Sequence, residues 1–116
     1  MAVIRLKRVY LPPSSADGTR VLVERLWPRG LKKEQAAIDL WLKEIAPSTE
    51  LRKWYAHTEA RWPEFQQRYR EELAQRSQSL IVLQRLVARG TVTLVFAARD
   101  EQHNSAVVLK TFLNHK

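Results

Sequence analysis

The chain has 116 residues, no cysteine, and 20 lysines and arginines against 12 aspartates and glutamates, for a formal net charge of +8. That length suits one domain with a single core, and the lack of cysteine removes disulfides, thiolate nucleophiles and cysteine metal sites together. No apolar run approaches the roughly 20 residues of a membrane span and the first residues read as a charged strand, not a signal peptide, so a cytoplasmic protein with no membrane association is expected.

Val3-Ile-Arg-Leu-Lys-Arg-Val9 alternates apolar with basic residues, the period of a strand with one wet face near a sheet edge. A loop rich in proline and serine follows and turns at Asp17-Gly18. The second strand runs from Arg20 to about Leu26, with Val21, Val23 and Arg25 on one face and Leu22, Glu24 and Leu26 on the other. Each face becomes ionisable only toward the carboxyl end. From about Lys33 to Ile45 the spacing of Ala37, Leu40, Trp41, Glu44 and Ile45 predicts a helix, closed by Ala46-Pro47.

Ser48 is a suitable N-cap for a short helix with Leu51, Trp54 and Tyr55 inward. Pro63 fits the first turn of a third helix that buries Phe65, Tyr69 and Leu73 and sets Glu64/Arg68 and Arg68/Glu72 on its outer face. A fourth helix, about Ser79 to Arg89, stops at Gly90. Thr91 to Ala98 is almost wholly apolar, as in a central strand covered on both faces. A last helix runs from about Asn104 to the terminus, packing Ala106, Leu109 and Leu113. Strands separated by helices predict a single α/β domain over residues 1–116, with a short, largely parallel sheet and about five helices. Three strands are evident, and the first two have room to pair directly in either direction.

Charge is concentrated early: residues 1–33 hold eight bases against Asp17 and Glu24, and the rest hold twelve bases and ten acids. Such a distribution either steers nucleic acid, nucleotides or small anions toward the protein or simply keeps it soluble. In open α/β sheets ligands gather beyond the carboxyl ends of the strands. Arg25, Trp27 and Arg29, fixed by Pro28 and Gly30, are therefore expected on the same rim as Arg99, Asp100, His103 and Asn104. Three guanidiniums there require carboxylates such as Glu24 or Asp100, or an external anion. Both a small-anion site and an internal arginine–carboxylate network satisfy that requirement.

Trp41 and Trp54 lie at helical spacing with other apolar residues and read as core, whereas Trp27, between two arginines, suits stacking on a guanidinium or a ligand ring as well as anchoring of its loop. His103 and Asp100 are the candidates for general acid/base work. Two such residues fall short of a metal ligand set, so neither a metal nor a cofactor is expected, and no nucleophile elbow or phosphate loop is present. His57 and His115 lie too far along the chain to be assigned as their partners. Binding of a small anionic ligand, possession of a nucleic-acid-binding surface with Trp27 as a stacking platform, and a purely structural partner-binding role all fit the pattern. Catalysis and oligomeric state are not legible.

Asp17-Gly18 with Arg20-Val-Leu-Val-Glu-Arg-Leu-Trp-Pro-Arg-Gly30, Trp41 through Ser48, Leu51-Arg52-Lys53-Trp54, Phe65 with Tyr69 and Glu72-Leu73, and Ala98-Arg99-Asp100 with Asn104 and Ala106 resemble the bacterial YeaO-like proteins of domain-of-unknown-function family 488. The resemblance spans nearly the whole chain and implies a small α/β three-layer domain, with a site at the rim holding Arg25, Trp27, Arg29, Arg99, Asp100 and Asn104. It implies no activity. Other branches of that wider family resemble one another in a cysteine after the last core strand and a Cys-His-Arg segment beyond it. Here Phe96-Ala97-Ala98-Arg99-Asp100 and Gln102-His103-Asn104 stand instead, so thiol chemistry does not transfer.

Overall fold

The structure, a computed structural model, describes residues 3–114. Strands β1 (Ile4–Arg8), β2 (Thr19–Leu22), β3 (Leu40–Trp41) and β4 (Val92–Phe96) form one parallel sheet in the order β1-β4-β2-β3. Helices α1 (Lys33–Ala36), α2 (Thr49–Tyr55), α3 (Trp62–Leu73), α4 (Ser77–Arg89) and α5 (Ser105–Asn114) complete it. His115 and Lys116, which the expected last helix included, lie outside the described residues. No helix of the described residues is long and apolar enough to cross a membrane.

Every residue of β4 is buried, as a central strand between two layers requires. Val92, Leu94 and Phe96 join Val21 and Val23 in a core with Leu51, Phe65, Tyr69, Leu83 and Leu109 from α2 to α5. Val95 and Leu22 point the other way and pack with Val9 and Ala36, under Trp27 and Trp41. The α/β architecture expected from the strand and helix pattern is therefore present, with a thick helical layer on one face and a thin one on the other.

Three expectations about the elements change. First, β1 and β2 do not pair: β4 lies between them, with Ile4 and Thr19 both opposite Val92. Second, residues 33–45 are not one helix. Ala37 takes a left-handed conformation (φ 49°) and ends α1 after one turn. Asp39 then docks on Arg20, its N–H donating to the Arg20 carbonyl and its carboxylate accepting the Arg20 N–H. Leu40 and Trp41 continue as a fourth strand opposite Val21 and Leu22. The open edge of β2 supplies hydrogen-bond partners that a helix there would forgo, and a two-residue strand is too short to show an alternating pattern. Third, Arg68 pairs with Glu64 but not with Glu72, and its guanidinium lies 4.4 Å from the Trp54 ring centroid. Glu72 instead accepts from the Ser48 N–H and hydroxyl and pairs with Arg76.

At the amino ends of the strands Asp17 binds three elements together. Its carboxylate accepts Lys7 from β1, the Ser14 N–H from the preceding loop and Arg20 from β2 at 2.6 Å. Its carbonyl accepts the Thr93 hydroxyl of β4. Arg20, also buried, donates its remaining N–H groups to the Ala36 and Ala37 carbonyls and so holds α1 down. Burial pushes the Asp17 carboxyl up, but the Ser14 N–H, Lys7 and Arg20 outweigh it and hold the pKa below the usual carboxylate range.

A folded-state pKa below the unfolded one stabilises the protein above about pH 4, and that stability is lost as pH falls through the folded value. Asp17→Asn is expected to cost about 3–5 kcal/mol at neutral pH, because it leaves Arg20 buried without its counter-charge. In urea unfolding the gap between variant and parent should narrow at pH 3.

Candidate ligand groove

The chain leaves β2 toward β3 and leaves β4 toward α5, which packs on β1 and β4. The two exits diverge, and a groove of about 800 Å³ opens between them at the carboxyl edge of the sheet. Such a crevice is where open α/β sheets hold ligands. Glu24 and Arg25 after β2 line one side, Ala97 and Ala98 after β4 the floor, and Arg52, Lys53, Tyr55 and His57 the side made by α2. Tyr55 stacks on Phe65 at 4.4 Å between centroids, giving that wall an aromatic backing.

Glu24 is fixed from two directions. Its backbone carbonyl accepts the Trp41 indole N–H at 2.7 Å, and its Oε2 accepts the Ala97 N–H at 3.0 Å. Its Oε1 has no hydrogen-bond partner among the described residues and is not sealed from solvent, and Glu24 is among the residues that line the groove. Burial raises the Glu24 pKa above the ordinary glutamate value, opposed by the Ala97 N–H and by the charges of Arg52 and His57. Ala56 and His57 both have positive φ, at 45° and 56°. Two successive left-handed residues without glycine are a strained way to leave a helix, and here they bring His57 to the groove wall.

The residues singled out from the sequence do not gather in one place. Arg25 lines the groove, but its guanidinium donates to the Pro47 and Ala46 carbonyls, at 3.2 and 3.0 Å, and so braces the turn before α2. Trp27 lies on the opposite face of the sheet, its indole N–H on the Leu31 carbonyl and its ring edge-on to Trp41 at 5.5 Å. Arg29 and Arg99 are exposed and off the groove lining. Neither the cluster of three guanidiniums nor a network joining them to Glu24 or Asp100 forms. Backbone carbonyls satisfy Arg25, and the strand expected to reach Leu26 ends at Leu22; the chain bends at Arg25 and Leu26, which breaks the alternation that would have kept Arg25, Trp27 and Arg29 on one face.

Asn104 lines the groove and caps α5, its Oδ1 accepting the Val107 N–H. Asp100 organises the turn before it, accepting the N–H groups of Gln102 and His103 and meeting His103 Nδ1 at 2.9 Å. Those contacts, the Gln102 N–H foremost, hold its carboxyl below the usual range. His103 lines the groove and abuts Trp62 edge-on at 5.2 Å. Ligand atoms of Glu59, Asp100 and His103 lie within 4.8 Å of one another, the group best placed among the described residues to take a metal ion. The Asp100–His103 contact serves the turn in its own right, since it closes the same loop as the two backbone bonds.

Arg52, Lys53, Tyr55 and His57 were not legible as site residues. In α2 the apolar stripe of Leu51, Trp54 and Tyr55 makes Arg52 and Lys53 look like a solvated outer face, and their place in the last turn also suits the negative helix end.

Fold and groove together define a small α/β domain with an open crevice at the sheet's carboxyl edge. Residues 3–116 match the family model described as "Inactive DUF488-N3 subclade", and the chain belongs to that family. It is 44% identical over 110 residues to the uncharacterized protein YeaO of Escherichia coli strain K12, covering 95% of this chain and 96% of that one. It is likewise 44% identical over 111 residues to the uncharacterized protein Rv3073c of Mycobacterium tuberculosis, covering 96% and 93%. No solved structure matches the chain.

Arg25→Ala leaves the Pro47 carbonyl without its donor and the Ala46 carbonyl with Arg76 alone, and is expected to destabilise by about 1–3 kcal/mol in urea unfolding, against less than about 0.5 kcal/mol for Arg29→Ala or Arg99→Ala. Glu24 acts with the opposite sign to Asp17. Its folded pKa lies above the unfolded one, so stability falls as pH rises from about 4.3 through the folded value. Glu24→Gln should remove that fall, leaving the variant at least as heat-stable as the parent at pH 7 but not at pH 4.

Proposed function

We propose that this chain is a binding protein for a small anionic molecule, a phosphate or carboxylate compound of up to nucleotide size, held in the groove between β2 and β4. The observation that carries the reading is the cationic wall of α2. Arg52 and Lys53 of α2 line the groove, while the ion pairs among the described residues engage other side chains, namely Lys7, Arg20, Arg68, Arg76 and His103. Cations without carboxylate partners beside a concave, partly apolar surface form a receptor for an anion. The matched subclade's description as inactive supports a binding role without covalent chemistry.

The placement of the early bases favours this reading over a nucleic-acid surface. Lys7 and Arg20 are held by Asp17, Arg8 donates to the Ala98 carbonyl, and Arg25 donates to Ala46 and Pro47. Half of the eight bases in residues 1–33 thus satisfy internal acceptors, whereas backbone binding to a duplex or single strand needs them on a continuous outer face.

Thermal unfolding with inorganic phosphate, AMP and 3-phenylpropionate tests the proposal. A ligand at about one hundred times its Kd should stabilise the parent by about 2.7 kcal/mol. The double variant Arg52→Ala/Lys53→Ala should fold with an unchanged circular dichroism spectrum and lose that shift. No shift from any of the three, or an equal shift in the double variant, overturns the reading.

A further inference from the structure

We propose that Glu24 is the specificity-determining residue of the groove, and that the ligand carries an N–H donor for Glu24 Oε1 together with its anionic group. The inference rests on the anion reading and narrows it from anions in general to compact molecules that bear both groups on an apolar or aromatic body.

Three observations lead there. The Trp41 indole holds the Glu24 backbone carbonyl and the Ala97 N–H holds Oε2, so the side chain is tethered at both ends and Oε1 is left for another donor. It is the single acidic side chain lining a groove otherwise bordered by Arg25, Arg52, Lys53, His57 and His103. A carboxylate there repels a pure anion, and Arg52 and His57 lie near enough to act on its charge without bonding it. Opposed charges fixed a short way apart match a ligand with the complementary pair, as a pure anion does not. Burial leaves the Glu24 carboxylate with one hydrogen bond, from Ala97, and a donor from the ligand supplies a second.

The body of the ligand is set by the rest of the lining. Tyr55 and Phe65, buried and stacked on each other, back the groove wall, and Leu26 on the lining stands 65% exposed, an apolar side chain that a flat ligand would cover.

Glu24→Gln separates this role from a structural one. The amide has one oxygen, and the Ala97 N–H claims it, so the position of Oε1 is taken by the Nε2 donor. The fold keeps its bond while the groove loses its acceptor. The experiment is calorimetric titration of the full chain with two matched pairs: phenylalanine against 3-phenylpropionate, and AMP against the purine ribonucleotide that lacks the exocyclic amine.

In at least one pair the amine-bearing member should bind the parent about tenfold more tightly, the worth of one hydrogen bond to a charged group, and Glu24→Gln should abolish or reverse that preference. Equal binding within both pairs, with affinity still lost in Arg52→Ala/Lys53→Ala, overturns the role of Glu24 and leaves the anion site standing. A preference for the amine that survives Glu24→Gln overturns it as well. Failure of all four compounds to bind overturns both readings.

Discussion

The interaction on which the rest of the molecule depends is the buried pair Asp17–Arg20. It stands at the amino edge of the sheet and reaches all the central elements: β1 through Lys7, β2 through Arg20, β4 through Thr93 and α1 through the Ala36 carbonyl. A buried charge pair is stable only when its remaining donors and acceptors are also satisfied, and here the surrounding backbone does this. The result is a sheet clamped at one edge by polar contacts and left open at the other. Gly18, next to the clamp, adds a steric constraint, because a Cβ there would lie 2.2 Å from the Thr91 carbonyl oxygen. The chain passes too close to β4 for any side chain.

A sheet secured at its amino edge can tolerate unfavourable groups at the carboxyl edge, and the groove collects several. Glu24 is half-buried with a raised pKa, Ala56 and His57 hold left-handed backbone, and Leu26 is an exposed leucine. Each lowers stability relative to an ordinary replacement, and all three lie around one crevice. Features that cost stability and cluster in space are the usual mark of a region shaped for binding, since nothing in the packing requires them.

Much of the fold was legible in the sequence because burial leaves a periodic trace. The almost wholly apolar β4, the stripes of α3 and α4, Ser48 as a cap and Pro63 in a first turn all stand where their patterns put them. What did not show was anything decided by a single contact. Leu40–Trp41 is a strand only because the edge of β2 accepts it, and α1 ends only because Ala37 turns left-handed. The candidate site was legible in position, at the carboxyl edge, with Arg25 and Asn104 on its lining. Its other members were obscured because the regular strand stops at Leu22 and the chain bends at Arg25 and Leu26, a break that no sequence period records. Arg25 and Trp27 look adjacent in sequence, yet one braces α2 and the other packs beneath Trp41. Conversely, Glu24 and Arg52 are distant in sequence and meet only across the groove.

The position of β4 also governs the order in which this protein can acquire its structure. β1 and β2 are made first but have no hydrogen bonds to each other; both bond to a strand whose first residue, Val92, lies 88 positions beyond its partner Ile4. As the chain emerges from a ribosome, the slot between the two early strands stays vacant until residues 92–96 have been synthesised. Loop closure over that distance precedes any gain from sheet pairing, so folding is late, cooperative and slow for a domain of this size. Until then two apolar strand edges are exposed to other chains, and the alternating arginines and lysines of β1 give that edge a charge that discourages association.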